Sequence, residues 1–219
     1  MSQPPITGIS SMATRALLAE LVAAHGQPVA MESVGGVDAA KRVAAGEAFD
    51  VVVLASDAID KLIAAGRVLA GSKVDLVHSG VAVAVKAGAA HPDIASENAV
   101  KRAVLNASTL GYSTGPSGVQ LAKLFERWGI AQEIAPRIVT APAGVPVGAL
   151  VARGQVALGF QQLSELMNLQ GIEVLGPLPP AIQITTTFSA GVCAASTQPE
   201  AARAFLAFLA SPDTTQIKQ

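Results

Sequence analysis

Charge and aromatic rings are both scarce in this chain of 219 residues: 14% of its side chains are charged and 4% are aromatic. An average soluble domain is about a quarter charged. Fifteen basic residues stand against sixteen acidic ones, a net charge of −1 with no basic stripe. Nucleic-acid binding by phosphate neutralisation or base stacking is therefore excluded. Long apolar runs are missing too, although 51% of the residues are hydrophobic. The longest stretch without a charge, Val174 to Pro199, is broken by four prolines and by Thr185-Thr186-Thr187, so no run reaches the roughly 18 apolar residues that a membrane-spanning helix needs.

Cysteine is nearly absent. Cys193 alone cannot form an intramolecular disulfide, and its place in the apolar run Ala190 to Ala195 reads as a small core residue. The histidines, His25, His78 and His91, have no H-x-x-x-H or H-x-x-E spacing and no cysteines near them, so no metal site is expected. Neither a G-x-x-x-x-G-K-[ST] loop nor a G-x-G-x-x-G fingerprint occurs, and no cofactor is expected. The start, Met1-Ser-Gln-Pro-Pro, lacks the basic and apolar segments of a secretory signal. As the chain stands it points to the cytoplasm, or to the periplasm if a signal has been removed.

What is present is alternation. Short apolar or β-branched runs read as strands at Ile6–Ser10, Val29–Ser33, Val51–Ala55, Val74–Val85, Thr109–Ser113, Val156–Phe160, Glu173–Leu175 and Thr186–Ala194. Helical periodicities lie between them near 12–24, 38–45, 57–65, 97–106, 118–128, 145–153 and 199–210. This is the pattern of an α/β protein with largely parallel sheets. One helix carries Leu121, Leu124, Phe125 and Trp128 on a single apolar face. Gly46, Gly66 and Gly154 sit where a left-handed residue would end a helix. The two long strands, near 74–85 and 184–194, suit segments that cross between sheets. They imply two α/β lobes joined by two crossover segments, 1–80 plus 187–219 and 81–186, with a cleft between them.

In open α/β sheets ligands bind at the carboxyl ends of strands. Four turns there are rich in hydroxyls or small residues: Ser10-Ser11, Gly35-Gly36-Val37, Gly111 to Gly118, and Ala141 to Pro146. A helix N-terminus offers unpaired N–H donors and the positive end of the dipole, so several such turns would hold an anion without cationic side chains. The run Gly111-Tyr112-Ser113-Thr114-Gly115 also fits the nucleophile elbow G-x-S-x-G. That chemistry needs a histidine downstream of the serine, and all three histidines precede Ser113.

These residues carry a resemblance to the molybdate-binding solute receptors of ABC importers, which have the type II periplasmic-binding-protein fold. Ile6-Thr7-Gly8-Ile9-Ser10-Ser11-Met12 resembles the family's opening I-T-V-F-A-A-A-S-L, with Ser11 at the anion-binding serine. Val34-Gly35-Gly36-Val37 is similar to its F-G-G-S-S helix start, Pro116-Ser117-Gly118 to its V-P-A-G turn, and Leu150 to Phe160 to its Y-V-E-T-G-E-A-D-A-G-I. Pro199 to Leu206 and Leu209 to Pro212 resemble its terminal helix.

The resemblance implies a monomeric substrate-binding protein for transport, holding a molybdate-like oxyanion or a carboxylate in the cleft and presenting it to an ABC transporter membrane component. The ligand-binding set is Ser10, Ser11, Arg15, Gly35, Gly36, Val37, Ser113, Thr114, Ser117, Gly118, Val145 and Gln161. The chain departs from the family at Val37-Asp38, where a serine is usual, and at Gln161-Gln162, where a tyrosine follows the strand. A carboxylate beside a dianion is costly, so Asp38 favours a different anion. Aconitate isomerases resemble the same receptors and act on a small tricarboxylate without a cofactor; on that alternative Asp38 or His78 would be the base.

Overall fold

The structure, a computed structural model, describes residues 4–142 and 144–218; Ala143, part of the fourth turn above, lies outside them. In chain order the elements are β1 (Ile6–Ser11), α1 (Arg15–His25), β2 (Val29–Val34), α2 (Gly36–Ala44), β3 (Val51–Ala55), α3 (Ser56–Ala64), β4 (Val74–Lys86) and α4 (Glu97–Asn106). Then come β5 (Leu110–Tyr112), α5 (Pro116–Arg127), α6 (Ala131–Ile134), β6 (Ile138–Thr140), α7 (Val147–Ala152), β7 (Leu158–Gln162), α8 (Leu163–Leu166), β8 (Ile172–Pro177), β9 (Thr185–Val192) and α9 (Pro199–Ala210). The chain divides into two units at His78/Ser79, inside β4, and at Thr186/Thr187, inside β9.

In the first unit the strands run in the order β2-β1-β3-β9 and then the start of β4. β1 pairs in parallel with β2 and β3, and β3 pairs antiparallel with β9. β3, Val-Val-Val-Leu-Ala, is buried at every position, as a strand covered on both faces must be. One face packs on α1 and α9 through Leu18, Leu21, Ala202, Phe205, Leu206 and Leu209. The other packs on α2 and α3 through Ala39, Val43, Ile59 and Leu62. The buried α9 positions recur at i, i+3, i+4 and i+7, and truncating the fully buried Phe205 to Ala should cost about 3–5 kcal/mol.

A buried carboxylate ties this unit's ends together. Asp50 accepts hydrogen bonds from the Thr7 N–H (2.9 Å) and hydroxyl (3.0 Å), from the Ser196 hydroxyl (2.6 Å) and from the Gln198 amide (3.1 Å). Burial pushes its pKa up, but the donors from Ser196, Thr7 and Gln198 outweigh that and hold it below the ordinary aspartate value. Cys193 lies beside it, 1% exposed. Burial, with the Asp50 charge adding to it, pushes this thiol up to about 12. It is an unreactive core residue.

The second unit runs from the rest of β4 through β7 and β5 to β6, with β8 on the same part of β4. β5 pairs in parallel with both β6 and β7, and β7 pairs antiparallel with β4. Leu121, Leu124 and Phe125 of α5 enter the core against Phe160 and Ile134. Trp128, just past α5, packs beside them and donates its indole N–H to Glu97 at 2.7 Å.

Three short elements escape the periodicity of the sequence: α6 and α8 have four residues each and β6 three. The first helical segment, expected over 12–24, opens as a 3-10 turn at Met12–Thr14 before α1 begins at Arg15. The strand expected at Val156–Phe160 lies two residues later. Gln161 and Gln162 are therefore not after a strand but inside β7, both buried.

Candidate functional site

The parallel register of β1 and β2 sets Ser10 beside Ser33 and Ser11 beside Val34. The Ser10 hydroxyl is fully buried and lies 2.8 Å from that of Ser33. Ser11 is the next residue, where β1 gives way to the 3-10 turn, and its carbonyl accepts from the Thr14 hydroxyl at 3.1 Å. Its own hydroxyl is buried and has no hydrogen-bond partner among the described residues.

A buried orphan of this kind costs about 1–3 kcal/mol. Beside it is the start of α2, where a Cβ on Gly36 would stand 3.4 Å from the Ser11 Cβ. The cap residue of α2, Gly35, brings no side-chain oxygen to the first-turn N–H groups. Most helices here likewise start without a side-chain cap; α4 differs, capped by Ser96, whose hydroxyl accepts from the Ala99 N–H at 3.2 Å. In the first unit Ser11, Gly35 and Gly36 thus lie at neighbouring strand ends, with the Ser10 hydroxyl engaged by Ser33.

Other expected members lie farther out. Val37 is 45% exposed, and Arg15 is exposed at the first position of α1. Asp38, with a half-exposed side chain, faces Lys41 one turn along α2 at 4.0 Å, an ordinary first-turn carboxylate favoured by the helix dipole. His78 sits at the unit boundary, its Nδ1 2.9 Å from the Thr187 hydroxyl. The two strands that connect the units are thereby tied to each other.

The second unit repeats the arrangement. Parallel β5 and β6 align Tyr112 with Thr140, and β5 and β7 align Gly111 with Gly159. The carboxyl ends of three strands therefore lie side by side. From β5 the chain turns through Ser113, whose hydroxyl accepts from the Gly115 N–H at 3.4 Å, into α5. Pro116 fills the first helical position and Gly115, the cap, again supplies no side-chain acceptor. Ser117 is 6% exposed. Gly118 admits no side chain, because a Cβ would stand 1.7 Å from the Ser113 carbonyl oxygen. Thr114 is exposed, and Val145, whose N–H donates to the Pro142 carbonyl at 3.0 Å, closes the turn before α7.

Polar residues inside β7 complete this end. The side-chain oxygen of Gln161 accepts from the Gly148 N–H at 3.2 Å, and the amide of Gln162 donates to the Thr186 hydroxyl at 2.8 Å. The Gln162 oxygen and the Ser164 hydroxyl are buried without partners among the described residues. Glu165 follows on α8, and burial raises its pKa to about 7 against an opposing hydrogen bond from the Gln161 side chain. The sequence reading did not single out Ser33, Ser164 or Glu165, since one serine in a strand and one glutamate in a short helix have no spacing signature.

Among the described residues no group of three His, Cys, Asp or Glu side chains could hold a metal ion, and no helix is long and apolar enough to cross a membrane. Apart from the partly buried Glu165, the groups at these strand ends are neutral: hydroxyls, amides and helix N–H groups suited to an anion.

This fold, with hydroxyl-rich turns at the strand ends of each unit, is that of a periplasmic-type binding protein. The chain belongs to the family described as bacterial extracellular solute-binding protein, whose profile matches residues 6–219. It is 43% identical to the aconitate isomerase of a Pseudomonas species over 176 residues, which span 80% of this chain and 67% of that protein. Among solved structures it is similar to the periplasmic molybdate-binding protein of Azotobacter vinelandii, with a TM-score of 0.79 at 19% identity, covering 97% of this chain and 95% of that one. The tungstate ABC transporter structure from Geobacter sulfurreducens also gives 0.79, at 15% identity, covering 100% and 99%. At these identities the structures establish the type II periplasmic-binding-protein fold.

Proposed function

We propose that this chain binds a small polycarboxylate anion, with aconitate the first candidate, and interconverts its double-bond isomers. The observation that carries the binding half is Ser11: a buried hydroxyl with no partner among the described residues, beside the first turn of α2. Ser117 and Gly118 at the uncapped start of α5 are the matching donors of the second unit. We infer that Ser10, Gly35 and Val37 border an anion held at the first unit's strand end, that Ser113, Thr114, Val145 and Gln161 do so at the second unit's, and that Arg15 takes part only if its long side chain swings toward the start of α1. The catalytic half is supported by the 43% identity to an aconitate isomerase. Such a reaction needs a proton acceptor and donors for the charge that develops on the carboxylates, and no cofactor.

The receptor reading has its own support. The family is one of extracellular solute-binding proteins, and the fold is shared with a periplasmic molybdate-binding protein and a tungstate ABC transporter structure. On that reading the same donors hold the anion for delivery to a membrane transporter, outside the cytoplasm.

Ligand-linked unfolding tests the binding half. An anion at 100 times its dissociation constant should add about 2.7 kcal/mol, a rise of roughly 5–10 °C in Tm for a chain of this size. Trans-aconitate and citrate should produce it more strongly than molybdate or tungstate. Stabilisation by molybdate alone would favour the receptor, and none by any of the four would remove the site.

A further inference from the structure

We propose that Glu165 is the residue that moves the proton in this isomerisation, taking the role that Asp38 or His78 would otherwise fill. The proposal rests on the isomerase reading above. Glu165 lies at the carboxyl end of β7, three residues beyond the end of the strand's paired stretch, and is partly buried. The carboxyl is neither fully buried nor fully exposed, the kind of position from which a side chain can hold and release a proton.

Its surroundings are built rather than incidental. Gln161 bears on the carboxyl while its own oxygen is fixed by the Gly148 N–H at 3.2 Å. Two polar atoms of the same segment, the Gln162 oxygen and the Ser164 hydroxyl, are buried without partners among the described residues, and the Gln162 side-chain amide donates to the Thr186 hydroxyl at 2.8 Å. Gln162 is 4% exposed. A polar group left unsatisfied in this way either costs stability or waits for a ligand. No other titratable side chain occurs on α8, β7 or α7; β4 and β8, which meet α8 at Leu166, carry Asp75, His78, Lys86 and Glu173. Burial raises the Glu165 carboxyl to about 7, and no charged group among the described residues contributes. Asp38 is by comparison half exposed and faces Lys41, and His78 is exposed and bonded to Thr187.

The step balances without an oxidant, a reductant or a second substrate. In aconitate the Glu165 carboxylate removes a proton from the methylene carbon. That C–H electron pair becomes a new C=C bond, and the pair of the old C=C takes up a proton at its outer carbon, returned by the same carboxyl. The double bond moves one place, its geometry is reset, and no atom is gained or lost. Hydrogen-bond donors hold the charge that spreads onto the substrate carboxylates during the transfer.

Glu165→Gln keeps size and hydrogen bonding while removing the base. In deuterated buffer with trans-aconitate, wild-type protein should form cis-aconitate and exchange the methylene proton. E165Q should still be stabilised by trans-aconitate, with KM little changed, while kcat and exchange fall by about 10²–10⁴-fold. Glu165→Asp should recover part of the rate, with its acid limb moved toward lower pH. If E165Q turns over at the wild-type rate, the proton role falls and the isomerase reading stands. If wild-type protein binds trans-aconitate without isomerisation or exchange, the isomerase reading falls and this role with it. Should E165Q not fold, the wild-type pH profile decides: an acid limb in kcat near pH 7 supports the role, and a flat profile overturns it.

Discussion

Replacing Glu165 by Gln should make the protein more stable at alkaline pH and leave it unchanged in acid. The carboxyl is raised from its ordinary value of 4.5 to about 7 because burial penalises the charged form. A carboxyl raised in the folded state favours folding while it is protonated. That contribution is complete below the unfolded value and is lost as pH rises through about 7. At about 1.36 kcal/mol per unit, the interval from 4.5 to about 7 amounts to roughly 3 kcal/mol. Water reaching the partly exposed group reduces this to roughly 2–3 kcal/mol. Glutamine carries no charge at any pH and escapes the cost.

Urea unfolding of both proteins should give equal stabilities near about pH 4.5 and a gap opening to roughly 2–3 kcal/mol by about pH 8, which is roughly 4–10 °C in Tm. A gap that does not change with pH would refute the reasoning, because it would show that Glu165 titrates as an ordinary exposed carboxylate. The opposite sign, wild-type protein gaining on E165Q with rising pH, would reveal a cation held against Glu165.

Other substitutions probe separate links. Ser11→Ala removes a buried hydroxyl that has no partner among the described residues, so it should leave unliganded stability unchanged or slightly higher, while weakening anion binding by about 1.5–3 kcal/mol, roughly 10- to 150-fold, by calorimetry. Gly118→Ala drives a Cβ to 1.7 Å from the Ser113 carbonyl oxygen; it should cost several-fold more in anion affinity than an alanine elsewhere on α5, and full affinity would contradict the described turn. Asp50→Asn breaks an acceptor of four hydrogen bonds and should destabilise by about 2 kcal/mol or more at neutral pH. Because the Asp50 pKa is held down, that difference should be present above its unfolded value and shrink as pH falls through its folded value. Cys193, its thiol pushed up to about 12, should resist thiol reagents in the native protein and react only on unfolding.

Residues that repeat with a period made much of the fold legible. The helix over 97–106 and the one over 199–210 fall where their apolar spacing puts them, and Gly46, Gly66 and Gly154 adopt left-handed φ of 84°, 68° and 73°. β6, α6 and α8 are not legible, since three or four residues are too few for a period to repeat; β5, equally short, shows only through the apolar run around it. The register of β7 was missed because two glutamines look like a loop. Inside the strand their polarity is matched by Gly148 and Thr186, partners distant in sequence. Of the candidate donors, Ser10, Ser11 and the glycine pair meet because β1 and β2 are parallel and in register. Glu165 was invisible for a different reason: what distinguishes it is burial, which no local pattern encodes.

The central claim is that this receptor fold holds a small polycarboxylate and moves its double bond. Proton NMR of wild-type protein with trans-aconitate in deuterated buffer tests it most directly. The account predicts cis-aconitate signals growing toward equilibrium together with loss of the methylene proton signal, at a rate proportional to protein concentration. A spectrum of unchanged trans-aconitate, with its methylene proton intact, would contradict it.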